Sequence, residues 1–356
     1  MAMTPELGLI EGFFGRPWSW RERAETISYL APHGYHFYLY APKADAFLRR
    51  HWQSPHPDAE LEALAKLSAH CRAAGVRFGI GLSPFELHMA PGREWQDLLA
   101  RKLAHLDAVR PDDLAILFDD MRGDVPQLAD RQAAIVSFAA ERTRATRILC
   151  CPSYYSDDAI LDSAFGKRPD EYLRRLGKLL DPAVQIYWTG PEVCSRELTP
   201  GHLARVGEEL GRKPFLWDNY PVNDGARMSQ HLHLRAFTGR PAEIGRHVAG
   251  HGINPASQPI LSRIPALTLT QSYRAGDRYE YAAAFGWAAR EVLGPELATR
   301  ISGDLIAFQD RGLDRLGARR AVLRDRYAAI PHPAAQEVAA WLDGQWNVAD
   351  DLVQTQ

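Results

Sequence analysis

Cysteine is scarce in this chain, with four in 356 residues. Cys71, Cys150, Cys151 and Cys194 have neither the number nor the spacing of a disulfide framework or a zinc site. Cys150 and Cys151 lie inside an apolar run, and all four are expected to be buried thiols. An excess of either charge is also missing: 42 Lys and Arg stand against 44 Asp and Glu, a formal net charge of -2. That balance gives no electrostatic footprint for nucleic acid or for an anionic membrane surface, so neither partner is expected. No run approaches the roughly 20 apolar residues that span a bilayer. The opening MAMTPELGLIEG lacks the basic-then-apolar pattern of a signal peptide. The expected location is therefore cytoplasmic. Internal repeats and low-complexity tracts are absent, and no glycine-rich phosphate loop follows any expected strand. What remains is a chain 46% hydrophobic and 24% charged, long enough for one large domain and a smaller one.

Short apolar runs alternate along it with helical patterns. The runs are Leu7–Ile10, His36–Tyr40, Arg77–Leu82, Leu114–Phe118, Arg147–Cys151, Val184–Trp188, Pro214–Trp217 and, weakest, His247–Ile253. Amphipathic stretches such as Ala59–Ala74, Trp95–Val109, Arg131–Arg144 and Asp170–Leu180 lie between them, with apolar residues three and four apart. Eight strands alternating with helices predict a (β/α)₈ TIM barrel with right-handed crossovers, assigned to residues 1–275. After about Tyr273 only helical periodicity remains, over Tyr279–Leu293, Glu296–Gly312, Leu316–Ile330 and, past Pro331-His332-Pro333, Ala334–Asp343. Residues 276–356 are expected to be a C-terminal helical region that packs on the barrel, caps it or forms a homodimer contact.

The stretch that organises the rest is Leu114 to Asp124, LAILFDDMRGD. Its apolar run reads as a strand buried on both faces and stops at Asp119 and Asp120. Ionised Asp is rarely buried without a partner, so this pair faces a wet cleft, binds a cation or does chemistry. Neighbouring strand residues point to opposite faces, and two of them share a cavity only where the strand unwinds into its loop. In a parallel barrel that place is the catalytic end. Paired carboxylates there suit glycoside hydrolysis. Adjacent residues are poorly placed to straddle a sugar widely enough for inversion, which needs roughly 6.5–9.5 Å between carboxyls. Substrate assistance fits better, with the sugar's own 2-acetamido oxygen attacking, one Asp orienting it and the other serving as acid and then base. A metal reading stays beside it, in which Asp119, Asp120 and Asp124 hold Mg²⁺ against a phosphate, although phosphate-clamping cations are few, Lys43 and Arg122 being the candidates.

Five segments, each at an expected strand end and in order, carry a family resemblance: Glu11 to Trp18 (EGFFGRPW), Tyr40 to Lys43 (YAPK), Phe118-Asp119-Asp120, Tyr187 to Pro191 (YWTGP) and Trp217 to Asp224 (WDNYPVND). Together they resemble glycoside hydrolase family 84, the family of protein O-GlcNAcases and related bacterial β-N-acetylglucosaminidases. The likeness covers about residues 7–273. It implies a retaining enzyme that needs no cofactor and no metal and acts on a GlcNAc-bearing glycoside or glycoprotein. Asp119 then resembles the residue that orients the acetamido group, and Asp120 the general acid/base. Tyr155 matches the Tyr on the acetamido side, and Trp217 an aromatic wall of the N-acetyl pocket. Asn219 and Asp224 match residues that hydrogen-bond the sugar, Gly12 a backbone carbonyl contact, Lys43 a hydroxyl donor and Asn254 a last sugar-binding amide. Phe14 stands where the family commonly has Tyr, Ala44 where an acid follows the Lys, and Ser153-Tyr154 where Thr-Glu is frequent, departures that bear on the leaving-group side. Glu11 is expected to form a structural ion pair with Arg16 instead of acting as a base. The other readings are a carbohydrate-binding pseudoenzyme of the same fold, disfavoured because both Asp residues are present, and the Mg-dependent phosphate enzyme.

Overall fold

Each apolar run becomes a strand because its residues are buried on both sides, inside the barrel and under a helix. In the computed structural model, which describes residues 4–90, 92 and 94–348, the strands are β1 (Glu6–Glu11), β2 (Tyr35–Tyr40), β3 (Arg77–Leu82), β4 (Asp113–Leu117), β5 (Arg147–Cys151), β6 (Gln185–Trp188), β7 (Phe215–Asp218) and β8 (Gly250–Ile253). They pair in sequence order, all parallel, and β8 closes on β1, giving a closed eight-stranded barrel. Asp119 and Trp217 lie at the same, C-terminal end of this barrel.

The helices that cover it are α1 (Trp20–Leu30), α2 (Asp58–Ala73), α3 (Trp95–Leu106), α4 (Leu128–Ala140), α5 (Ile160–Phe165), α6 (Tyr172–Leu179), α7 (Pro200–Leu210) and α8 (Arg263–Ala275). Local sequence sets their ends. Ser19 and Glu22 form a reciprocal capping box at the start of α1, and Thr199 caps α7 ahead of Pro200. Inside the barrel, Phe37 and Phe215 pack edge to face at 5.3 Å, and Tyr187 meets both Phe215 and Trp217 the same way. Gly250 has no side chain because a Cβ there would lie 2.4 Å from the Phe215 ring. The barrel's N-terminal end is closed by ions: Arg77 and Arg147 both bind Asp113, and Arg147 also binds Glu6.

The C-terminal helices are α9 (Tyr281–Leu305), α10 (Arg319–Ala328) and α11 (Pro333–Leu342). The break expected between residues 293 and 296 is present as a kink at Gly294, whose φ of 73° precedes Pro295. The second half then runs through a widened turn to Arg311. These helices share one continuous hydrophobic core with the barrel, and Trp341 donates its indole N–H to the Ser229 carbonyl at 3.1 Å. Residues 349–356 of the expected helical region, and residues 1–3 of the opening segment, lie outside the described residues. Among the described residues no helix is long and apolar enough to cross a membrane. Cys71, Cys150 and Cys151 are buried as expected, but Cys194 is partly exposed, because it lies in a loop that lines the cavity below.

Candidate active site

The end of β4 solves the geometric problem of two adjacent acids. The strand stops at Leu117, and Asp120 adopts a left-handed conformation with φ 57°, strained for a residue with a Cβ. That twist turns both carboxylates into one cavity, where Lys43, from the loop after β2, receives them. Its ammonium forms a short ion pair with Asp119 and lies 3.4 Å from Asp120. Two acids sharing one ammonium lie closer together than an inverting pair requires. The second oxygen of Asp119, Oδ1, is buried and has no hydrogen-bond partner, so this acceptor remains available to a ligand. Burial pushes the Asp120 carboxyl above the ordinary carboxylate range. Lys43 pulls it down and Asp119 pushes it up again. Burial disfavours the charged form of Lys43 as well, yet the two carboxylates hold its pKa above the usual lysine value.

The cavity with its open mouth spans about 500 Å³ and is lined by all nine residues singled out in the sequence: Gly12, Lys43, Asp119, Asp120, Tyr155, Trp217, Asn219, Asp224 and Asn254. They come from six of the eight strand ends. Gly12 is obligatory, since a Cβ there would sit 2.2 Å from Cζ2 of Trp217. The Trp217 indole N–H donates to Asn219 Oδ1 at 3.1 Å, and the Asn254 side-chain amide donates to the same oxygen at 3.1 Å. Asn219 in turn donates to the Val193 carbonyl at 2.9 Å, and the Gly12 N–H donates to Asn254 Oδ1 at 3.3 Å. This chain of amides fixes the wall formed by the ends of β7, β8 and β1. Asp224 accepts the Phe14 N–H at 2.8 Å, and burial pushes its carboxyl up to about 6 despite that hydrogen bond.

The supporting shell was only partly visible in the sequence. Arg240, in the loop between β7 and β8, binds Asp218 through two hydrogen bonds and also donates to the Ser195 and Arg196 carbonyls. It thereby ties the end of β7 to the loop carrying Val193 and Cys194. His251 adds a third contact to Asp218 at 3.0 Å. Burial pushes the Asp218 carboxyl up, but the Arg240 guanidinium and the His251 contact hold it down to about 2. Nothing in the local sequence marks Arg240, which lies 22 residues from its partner. Ser153 accepts from Gln132 and donates to the Phe118 carbonyl, fastening the β5 loop to the Asp pair. Phe14, Cys151, Thr189, Val193, Cys194 and Val222 complete the lining.

One expected pairing changes, and the alternative metal reading loses a ligand. Glu11 is fully buried but pairs with Arg23 of α1 through two 2.8 Å hydrogen bonds, while Arg16 is exposed. Arg23 lies one helical turn past the cap residue Ser19, so α1 carries it back over the barrel where the loop residue Arg16 is exposed. Asp124, weighed above as a third metal ligand, is bound by Arg122 on the exposed rim. With Lys43 already bound to Asp119 and Asp120, the cation position between them is taken by the chain's own ammonium. Among the described residues no group of three His, Cys, Asp or Glu could hold a metal.

A family model described as beta-N-acetylglucosaminidase matches residues 7–309, running past the motif-bearing stretch into α9 and the turn that follows. The protein O-GlcNAcases of Rattus norvegicus and Mus musculus are each 29% identical over 279 residues, which is 75% of this chain and 30% of theirs. The chain thus spans under a third of the length of these curated relatives. An O-GlcNAc hydrolase mutant of Thermobaculum terrenum superposes with a TM-score of 0.79 at 26% identity, covering 96% of this chain and 81% of that one. By its sequence and its barrel, the chain belongs to the β-N-acetylglucosaminidase family, glycoside hydrolase family 84.

Proposed function

We propose that the chain is a retaining β-N-acetylglucosaminidase that removes terminal β-linked GlcNAc by substrate-assisted catalysis. The observation that carries this reading is the buried, unpartnered Oδ1 of Asp119 beside Asp120, whose pKa is raised. The acetamido N–H donates to Asp119, and the acetamido oxygen attacks C1. As that bond forms, the glycosidic C1–O bond breaks, and the Asp120 proton passes to the leaving oxygen. The product of this step is an oxazoline protonated on nitrogen, its N–H hydrogen-bonded to Asp119. Water then attacks C1, Asp120 takes the water's proton, and the ring reopens with the original configuration. Tyr155 and Trp217 enclose the acetyl group, Asp224, Asn219 and Asn254 serve the sugar hydroxyls, and Lys43 and Gly12 complete the sugar contacts. Lys43 also compensates the charge of Asp119 between turnovers.

Residues beyond about 275 supply no catalytic group in this reading, since the lining ends at Asn254. A cytoplasmic location and a homodimer through the C-terminal helices belong to the same proposal, to be read from fractionation and from mass in solution. The aglycone is a modified protein side chain, a cell-wall fragment or a small glycoside.

The nucleophile gives the test. On aryl β-N-acetylglucosaminides whose acetyl group bears one, two or three fluorines, kcat falls progressively as electron density leaves the attacking oxygen. A thiazoline mimic of the intermediate is expected to bind far more tightly than substrate. A flat rate across the series, or a covalent glycosyl ester trapped on Asp119 or Asp120, would overturn the mechanism in favour of direct carboxylate attack.

A further inference from the structure

Beside the catalytic cavity lies a second depression of about 880 Å³, and Asp120 lines both. The second one is walled by the loops that follow β2, β3, β4 and β5, among them Arg49, Arg50, Phe85, Glu86 and Arg122. With Asp120 as the proton donor, a group reached through Asp120 is the leaving group. This inference rests on that role.

Arg49 is the unexplained residue of the depression. It is half-buried, its guanidinium lies over the rings of Phe14 at 5.4 Å and Phe85 at 5.7 Å, and its Nε is buried with no hydrogen-bond partner. Among the described residues it makes no ion pair, although its charge helps to pull the Asp120 carboxyl down. A buried donor without an acceptor costs free energy, and an anion seated in this depression would satisfy it. Contact with the two rings holds the guanidinium at the wall of the depression, with its Nε donor unused. A planar fork of that kind matches the two oxygens of a carboxylate or phosphate. Arg122 is neutralised by Asp124, and Arg50 and Glu86 stand on the exposed rim. Once Asp120 carries its proton, the depression holds three guanidinium groups against two carboxylates, Glu86 and Asp124, and has room for an anion.

We propose that this depression is the leaving-group subsite and that Arg49 makes it selective for aglycones bearing a carboxylate or phosphate near the glycosidic oxygen. The experiment compares three aryl β-N-acetylglucosaminides of matched phenol acidity, whose rings carry a carboxymethyl, a phosphonomethyl or an uncharged carboxamidomethyl group. In the wild-type chain kcat/KM for the better of the two anionic substrates is expected to exceed that of the neutral one by about tenfold, the scale of one charge-assisted hydrogen bond, and the preference shrinks as salt screens it. Which anion is preferred identifies the group. In Arg49→Gln the ratio of anionic to neutral falls towards one, and Arg49→Lys restores part of it. Because the ratio is read within each variant, a general loss of activity does not mimic the effect. A wild-type ratio of one, or a ratio unchanged in Arg49→Gln, overturns the subsite while leaving the glycosidase reading in place. Failure to turn over the neutral substrate as well takes down both.

Discussion

At the scale of single residues, the site depends on giving two identical side chains different work. Asp119 and Asp120 are adjacent, equally short and bound to the same ammonium, and what tells them apart is local: the left-handed backbone and raised pKa of Asp120 against the closer ion pair and orphaned oxygen of Asp119. Their variants should differ accordingly. Asp120→Asn removes the proton donor, so substrates with poor leaving groups are expected to lose about 10²- to 10⁴-fold in rate, while activated aryl glycosides, which barely need protonation, lose much less. Asp119→Asn instead presents an amide to the acetamido N–H and slows ring closure whatever the leaving group. Plotting log kcat/KM against leaving-group pKa for both variants decides it, and equal slopes would exclude the assigned roles.

Individual elements were legible in the sequence where burial is two-sided and obscure where a neighbour does the packing. Seven strands stand out as apolar runs. β8, Gly-His-Gly-Ile, is faint because its glycines leave room for the rings of Phe215 and Phe37 and for Ile10 from other strands. Of the nine residues singled out that line the cavity, Asp119 and Asp120 are legible from their place at a strand end, because a strand end in a barrel is a position in space as well as in sequence, whereas the other seven are named by the resemblance of their motifs to the family. Arg23, Arg240 and Arg49 were not found, because each reaches its partners from a helix or loop whose path the local pattern does not encode. The junction of β1 and β7 allows a test at this scale. Gly12→Ala would place a methyl 2.2 Å from the Trp217 ring and push the indole off Asn219. Overpacking of this kind costs about 1–3 kcal/mol. A displacement near 1 Å at a positioning wall costs on the order of 10²-fold in turnover. The expected result is a lower kcat/KM with altered tryptophan fluorescence in a folded chain, and an unchanged value of both would show that the close contact is dispensable.

The molecule as a whole is joined by its last helices to the loop that follows β8. Glu337 of α11 is buried and accepts the backbone N–H groups of Ile260 and Leu261 at 2.9 and 3.0 Å, just ahead of α8 and six residues beyond Asn254. Burial is the larger influence on its carboxyl. It pushes the pKa from 4.5 up to about 8, with Glu22 adding to the rise and the two N–H groups and Arg263 opposing it. The sign follows from linkage. A carboxyl that holds its proton more tightly when folded contributes stability that is complete below its unfolded pKa and is lost as pH rises through its folded one. Between about pH 4.5 and 8, therefore, the wild-type chain is expected to lose stability through this group, by at most a few kcal/mol. Glu337→Gln cannot ionise, so its denaturation midpoint should change less between pH 5 and pH 8 than that of the wild type, whatever the variant's absolute stability. Asp224 contributes a similar slope over a lower range, up to about 6, and remains in both proteins, so it cancels in the comparison. Parallel pH profiles for the two proteins would mean that Glu337 stays ionised, held by its two backbone donors, and joins helix to barrel with equal strength at every pH.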